Sequence, residues 1–387
     1  LLSFLQIGKY YTKRIMFRNA GIIIDEVHLL NPLMLQLVTY FIKLYRKIYN
    51  LKVLFMSATL PNSLVKYLKE NLEISDSSFL DFSKGYEKKR RVMWKYIDDY
   101  IETYIENAVK EKNGGKKVLI IVNTVEKAIK IGKILEEDFK LKYGEDFVVI
   151  HARFMYSHRK DKEKWIENNK NKPHILIATQ VCEVSLDISY DVLFTELASL
   201  PSLVQRFGRV NRYGEITNSV NVYIFKPEVR DLKRYPYSEE ELYIAREVIK
   251  ELEEEKLESE KQLLDAMNIR LSYEILLREI EKVGKKIKMN YWQEFSKFFF
   301  SIDVDDERIK KILNYREGFT VMVIPHPNCI EDSTKEIVEK LINISFKNLS
   351  FDERRKLFAK IKEIAVPIPV WWLKGVYTCL LYTSDAA

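Results

Sequence analysis

Short apolar runs alternate with amphipathic stretches through the first half of the chain, the pattern of a parallel sheet covered by helices. Residues 21–25 read as a buried strand. Asn31-Pro32, an N-cap residue followed by proline at the first helical position, starts a helix over residues 33–49. Residues 52–56 are the next strand, and Pro61-Asn62-Ser63 opens another short helix. Ser75-Asp76-Ser77-Ser78 and the basic cluster Lys88-Lys89-Arg90-Arg91 break the pattern. A second α/β series follows, with strands expected over 118–123, 147–151, 175–179, 192–195 and 220–225 and helices between them. Beyond it, Ser238 and Glu241 have the capping-box form, and Leu242, Ala245, Ile249 and Leu252 continue at helical spacing into a mostly helical third region. That region holds a strand candidate over 319–324 and helices over 333–342 and 351–364. Its aromatic cluster over 291–300, with Trp292, Phe295 and Phe299, reads as packing, with base stacking as the rival. The domain reading is therefore 1–82, 83–228 and 229–380, with 381–387 a tail that shows no packing pattern.

Composition narrows the class without naming a function. The chain has 387 residues, enough for two or three domains, and 47% hydrophobic with 31% charged residues excludes a disordered chain. No apolar run approaches the about 18 residues of a membrane span, so no membrane partner is expected. No leader follows Leu1, and the expected location is the cytoplasm. Leu1 also suggests that the true start is missing. Cys182, Cys329 and Cys379 are too few and scattered for a disulfide framework or zinc clip, and read as buried thiols. A net charge of +7 is compatible with a polyanionic partner but decides nothing, because 56 acids balance most of the 63 Lys and Arg.

Three segments carry chemistry. Asp25-Glu26-Val27-His28 follows the first strand, and ligands of open α/β sheets bind outside the carboxyl ends of strands. Nucleotide hydrolysis needs a carboxylate for magnesium, a second to orient water, and cations at the terminal phosphate. Asp25 and Glu26 supply the first two. By itself the string also fits an exposed turn. Ser57-Ala58-Thr59 ends the next strand with two short hydroxyls able to link a nucleotide edge to a domain interface. In Gln205-Arg206-Phe207-Gly208-Arg209-Val210-Asn211-Arg212, three arginines recur every third residue. On a helix they share a broad face, and Gly208 permits close approach to a phosphate or backbone. Crowded cations call for a polyanion opposite, and a solvated basic face is the competing account.

These strings resemble motifs II, III and VI of superfamily 2 helicases, the acidic box in its DEVH form. The segment 178–187 resembles motif V, Val122-Asn123-Thr124 resembles motif IV, and His151-Ala152-Arg153-Phe154 with Arg159 resembles the element between them. The forms of motifs V and VI are similar to those of the CRISPR-associated helicase of type I interference systems, over about residues 20 to 226. The resemblance implies two RecA-like parallel-sheet domains, the first truncated, and a helical accessory domain. It implies a motor that clamps ATP and Mg2+ and steps along single-stranded DNA, generally 3′ to 5′, after recruitment by a guide-RNA surveillance complex.

By motif, Asp25 would hold magnesium, Glu26 would activate water, and His28 would contact Gln205. Ser57 and Thr59 would couple hydrolysis to movement. Arg209 and Arg212 would reach the γ-phosphate, Asp187 would lie near the ribose or these fingers, and Arg206 and Gly208 would complete the interface. Asn123, Arg153, Thr179 and Gln180 would face the DNA track. Locally, Asn123-Thr124 also reads as a helix cap, and Arg153 and Arg159 as surface ion-pair formers. His158, His174 and His326 read as ordinary histidines.

A Gly-x-x-x-x-Gly-Lys-Ser/Thr loop is absent from these residues, and so is any His-Asp dipeptide. The chain is expected to be the C-terminal portion of a longer protein and to hydrolyse ATP poorly alone, with an HD nuclease upstream or on a separate polypeptide. Two rivals stay open: another superfamily 2 helicase acting in DNA repair or on RNA, and a non-hydrolysing nucleic-acid clamp.

Overall fold

The computed structural model describes residues 17–30, 32–57, 60–87, 90–184, 187–214, 218–229, 235–255, 259–271, 273–286, 320–325, 332–344 and 349–369. Thr59, the aromatic cluster 291–300, His326, Cys329, Cys379 and the tail lie outside them. In chain order the elements are β1 (Gly21–Ile24), α1 (Pro32–Tyr49), β2 (Lys52–Phe55), α2 (Asn62–Leu72), β3 (Trp94–Ile97), α3 (Ile105–Asn113), β4 (Val118–Ile121) and α4 (Val125–Glu137). Next come β5 (Phe147–Ile150), α5 (Tyr156–Asn168), β6 (Ile175–Ala178), α6 (Val181–Val184), β7 (Val192–Glu196), α7 (Leu200–Phe207) and β8 (Val222–Phe225). The rest are α8 (Glu239–Glu254), α9 (Glu260–Arg270), α10 (Tyr273–Lys286), β9 (Thr320–Val323), α11 (Asp332–Asn343), α12 (Phe351–Ile364) and β10 (Val366–Pro369).

Two compact units divide these residues. The first draws on Leu1–Tyr96, Leu197–Ile224 and Tyr237–Tyr315, the second on Ile97–Glu196, Phe225–Pro236 and Arg316–Ala387.

In the first unit β1 and β2 pair in parallel, Ile22 opposite Val53 and Ile23 opposite Leu54. Val27, Leu35, Ile42, Tyr45, Leu64 and Leu68 form the core below them, joined by Ile280 of α10. The expectation of a fully buried strand over 21–25 is corrected. Side chains alternate across a strand, and while Ile22, Ile24, Val53 and Phe55 pack on this core, Ile23 and Leu54 remain 66% and 50% exposed. The capping box forms as read: the Ser238 hydroxyl accepts from the Glu241 N–H, and Leu242, Ala245, Ile249 and Leu252 are buried. Trp94 of β3, a strand not foreseen, stacks on Phe207 and donates to the Ile249 carbonyl.

The second unit is built on parallel strands in the order β7-β4-β6-β5, with Val118 of β4 opposite both Ile175 and Val192. All four are buried along their length, as a parallel sheet with both faces covered requires. Most of these strands stop one or two residues short of the expected span, so that Asn123, His151 and Thr179 lie just past strand ends. Val338, Leu341, Leu357 and Ile364 form a second cluster with Met155. β9 pairs antiparallel with β10, whose Pro367 and Pro369 hid it from sequence reading. Alternate residues of an antiparallel strand direct their N–H away from the partner, so two prolines of the same parity are tolerated. No helix among the described residues is long and apolar enough to cross a membrane.

Candidate functional site

The acidic corner forms where β1 runs out. Pairing with the second strand continues past β1, Met56 N–H donating to the Ile24 carbonyl and Val27 N–H to the Met56 carbonyl, which ties residues 25–27 to the end of β2. Val27 is fully buried and anchors the turn. Glu26 is forced into the left-handed region, φ 50° and ψ 45°, a conformation that strains a residue with a Cβ by about 1 kcal/mol or more. Its N–H is taken by Asp25 Oδ1 at 2.9 Å, while Asp25 itself stays exposed. The His28 side chain is 2% exposed, with Nδ1 2.6 Å from Ser57 Oγ and 3.2 Å from Glu26 Oε2. Burial lowers the His28 pKa against the opposing pull of Asp25, so the ring is neutral at pH 7. The His28 Nε2 is buried without a hydrogen-bond partner.

The arginine segment departs from the expected helix. α7 ends at Phe207, and Gly208, at φ −61°, caps it by donating to the Val204 and Arg206 carbonyls. Arg206 therefore sits in the last helical turn while Arg209 and Arg212 lie beyond it, and the three do not share one helical face. A Cβ at Gly208 would lie 3.2 Å from the Gln205 carbonyl oxygen of the same turn. Arg206 is fully buried and donates to the Tyr237 hydroxyl at 3.0 Å, which in turn donates to Ser202. A buried guanidinium bonded to protein is a structural anchor. Arg209 and Arg212 are half-buried, the Arg212 guanidinium lying 5.8 Å from the exposed Tyr213 ring.

In the second unit three of the four track residues converge. Asn123, 4% exposed, donates its backbone N–H to Glu196 at 2.7 Å and its side-chain amide to the Tyr235 hydroxyl at 2.7 Å, and its carbonyl accepts from Gln180 at 3.0 Å. Thr179 is buried beside them and accepts from Cys182. Thr124, not Asn123, caps α4, its hydroxyl accepting from the Lys127 N–H. Arg153 pairs with Glu126 at 2.8 Å and Arg159 with Glu163 at 2.9 Å, as ion-pair formers would. Asp187 is exposed. Sequence reading missed Lys127, whose ammonium meets Glu102 at 2.7 Å, Glu228 at 3.1 Å and Glu196 at 3.8 Å, because no local pattern marks residues scattered over a hundred positions.

His151 stacks on Phe154 at 4.0 Å and accepts the Arg153 N–H at Nδ1. Burial, with the Arg153 charge adding to it, lowers its pKa from 6.5 to about 4. Below pH 6.5 the unfolded chain binds a proton that the folded chain refuses until about pH 4, so stability is full above 6.5 and is lost as pH falls through that window. Between pH 7 and pH 4.5 this group alone is expected to remove about 2 kcal/mol. His151→Gln should shrink the measured difference in unfolding free energy between those pH values by that amount, and an unchanged difference would refute the assignment.

Residues 114–215 match the family model described as CRISPR-associated nuclease/helicase Cas3, C-terminal. The putative CRISPR-associated nuclease/helicase Cas3 of Methanocaldococcus jannaschii is 32% identical over 238 residues, 58% of this chain but 31% of that protein's length. The crystal structure of T. fusca Cas3-ADP superposes with a TM-score of 0.66 at 16% identity, over 95% of this chain and 49% of that one. A chain of a CRISPR RNA-guided surveillance complex, pre-nicking, superposes at 0.64 with 17% identity, over 95% and 52%. At such identities the likeness shows the fold, the α/β parallel-sheet architecture with RecA-like domains expected from the sequence. Together with the sequence matches, it makes this chain similar to the C-terminal portion of the CRISPR-associated nuclease/helicases described as Cas3, of whose length it spans between about a third and a half.

Proposed function

We propose that this chain is the motor portion of an ATP-dependent translocase of CRISPR interference, which moves along single-stranded DNA, unwinds target DNA and is recruited by a guide-RNA surveillance complex. One observation carries the reading: an exposed Asp25 and a strained Glu26 lie beside a buried His28 that bonds Ser57 at the end of the adjacent strand. Backbone strain of this kind concentrates at active sites. The ADP-bound and surveillance-complex relatives support the nucleotide and partner parts of the proposal.

Asp25 would hold magnesium. Among the described residues no group of three His, Cys, Asp or Glu side chains is arranged to hold a metal ion, so the remaining ligands would be phosphate oxygens and water, the usual mode for magnesium with a nucleotide. The ion, when bound, neutralises phosphate charge. Glu26 orients the attacking water and takes its proton, while His28 and Ser57 transmit the state of that carboxylate to the end of β2. Arg209 and Arg212 would meet the terminal phosphate, Gln205 would act with them, Asp187 would serve the ribose or these fingers, and Arg206 and Gly208 hold the end of α7. Gln180 and Arg153 contact the DNA backbone, and Asn123 and Thr179 support them from behind. The motor comprises residues 1–82 and 83–228, with 229–380 as an accessory part.

Single-stranded DNA should stimulate ATP hydrolysis by the full-length protein more than RNA of the same length does; equal stimulation would move the proposal to an RNA helicase. Residues 1–387 alone should turn over ATP poorly. Robust turnover by them, abolished by Glu26→Gln, would overturn that expectation.

A further inference from the structure

We propose that Arg91 and Glu260 are positioning residues that clamp the turn bearing Arg212, so that its guanidinium projects from a backbone already held in place. This rests on the motor reading above.

The turn needs holding. Asn211 lies in the left-handed region at φ 45°, and Gly214 N–H closes the turn on the Asn211 carbonyl at 3.0 Å. A Cβ at Gly214 would fall 1.5 Å from Asn211 Oδ1, so the turn is built around that one side chain. Arg91 grips it from two directions. Its Nη1 donates to the Arg212 carbonyl at 3.1 Å, and its own carbonyl accepts from the side-chain amides of Asn211 at 3.2 Å and Asn221 at 2.9 Å.

Glu260 in turn holds Arg91. One carboxylate oxygen accepts from Arg91 Nε at 3.0 Å and from its backbone N–H at 2.9 Å, and the other accepts from Nη2 at 2.7 Å. Such a fork is bidentate and geometrically specific. The two side chains are only 13% and 11% exposed, so water competes poorly for either. Glu260 occupies the first turn of α9, where a carboxylate is favoured by the helix dipole, and Gln262 Oε1 secures that end by accepting the Ser259 N–H at 3.2 Å. Its charge also offsets that of Arg91. A residue beyond both the motif resemblance and the family-model match thereby acts on the arginine segment through Arg91.

The test joins kinetics with hydrogen exchange, using the full-length protein. Glu260→Gln and Arg91→Lys, which keep size and charge respectively while breaking the fork, should each lower kcat of DNA-stimulated ATP hydrolysis about tenfold with KM for ATP and DNA affinity little changed. Adding Arg212→Ala to either should lower kcat no further than Arg212→Ala alone. Exchange at the Gly214 amide should quicken about tenfold in both variants, with β4 unaffected. Lys261→Ala, which breaks the neighbouring surface pair with Glu87, serves as the neutral control. Effects that add to Arg212→Ala, or an unchanged Gly214 amide, would overturn the clamp. Should Arg212→Ala itself leave turnover intact, the motor reading fails, and the exchange result still decides the clamp.

Discussion

Glu26→Gln in the full-length protein is expected to lower DNA-stimulated ATP turnover by about 10²–10⁴-fold while nucleotide binding survives. The amide keeps the size and hydrogen-bonding reach of the carboxylate but cannot take a proton from water. Asp25 is left intact to meet the metal, so affinity for the nucleotide is spared. The left-handed backbone and the buried His28 remain, because neither depends on the charge at residue 26. Arg209→Ala should also depress turnover, leaving DNA affinity unchanged, since the fingers meet phosphate charge and not the track. A Glu26→Gln protein that hydrolyses ATP at the parental rate would remove the acidic corner from the chemistry.

Lys127→Met is the second large expectation, in stability and not in rate. The replacement keeps most of the buried stem but withdraws the cation shared by three carboxylates, of which Glu196 is 2% and Glu102 16% exposed. Removing one partner of a buried ion pair costs about 3–5 kcal/mol, here a fall in Tm of roughly 10 °C. Burial alone would lower the Lys127 pKa, but the hydrogen bonds its ammonium donates to Glu102 and Glu228 and the charge of Glu196 outweigh it and raise it above 10.5. Burial likewise would raise Glu102, and Lys127 and Lys130 outweigh that to bring it below 4.5. The lysine contribution is therefore complete below pH 10.5 and lost above it, and that of Glu102 is present above pH 4.5 and lost below it. The variant's deficit should be fullest between those limits and shrink in acid, where the stranded carboxylates take protons. Denaturation curves at pH 7 and pH 4 separate this from simple loss of packing, which would give the same deficit at both.

The amino-acid sequence alone determined the features that rest on neighbouring residues. Strand–helix alternation, the Ser238 capping box and the strings at 25–28 and 205–212 were legible because period, cap chemistry and motif spacing act within a few positions. The ends of elements were less so. Arg206, Arg209 and Arg212 read as one helical face, yet the helix stops at Phe207 and its last arginine is buried against Tyr237. Ile23 reads as core by composition but faces outward, because only one side of the β1–β2 pair is packed among the described residues.

What the tertiary structure decided is which distant groups neutralise or restrain the readable ones. Ser57 reaching His28 across 29 positions, Lys127 gathering Glu102, Glu196 and Glu228, and Glu260 holding Arg91 under the Arg212 turn are all contacts between segments far apart in the chain. Such pairings arise from burial and charge compensation in three dimensions, and no periodicity along one dimension encodes them.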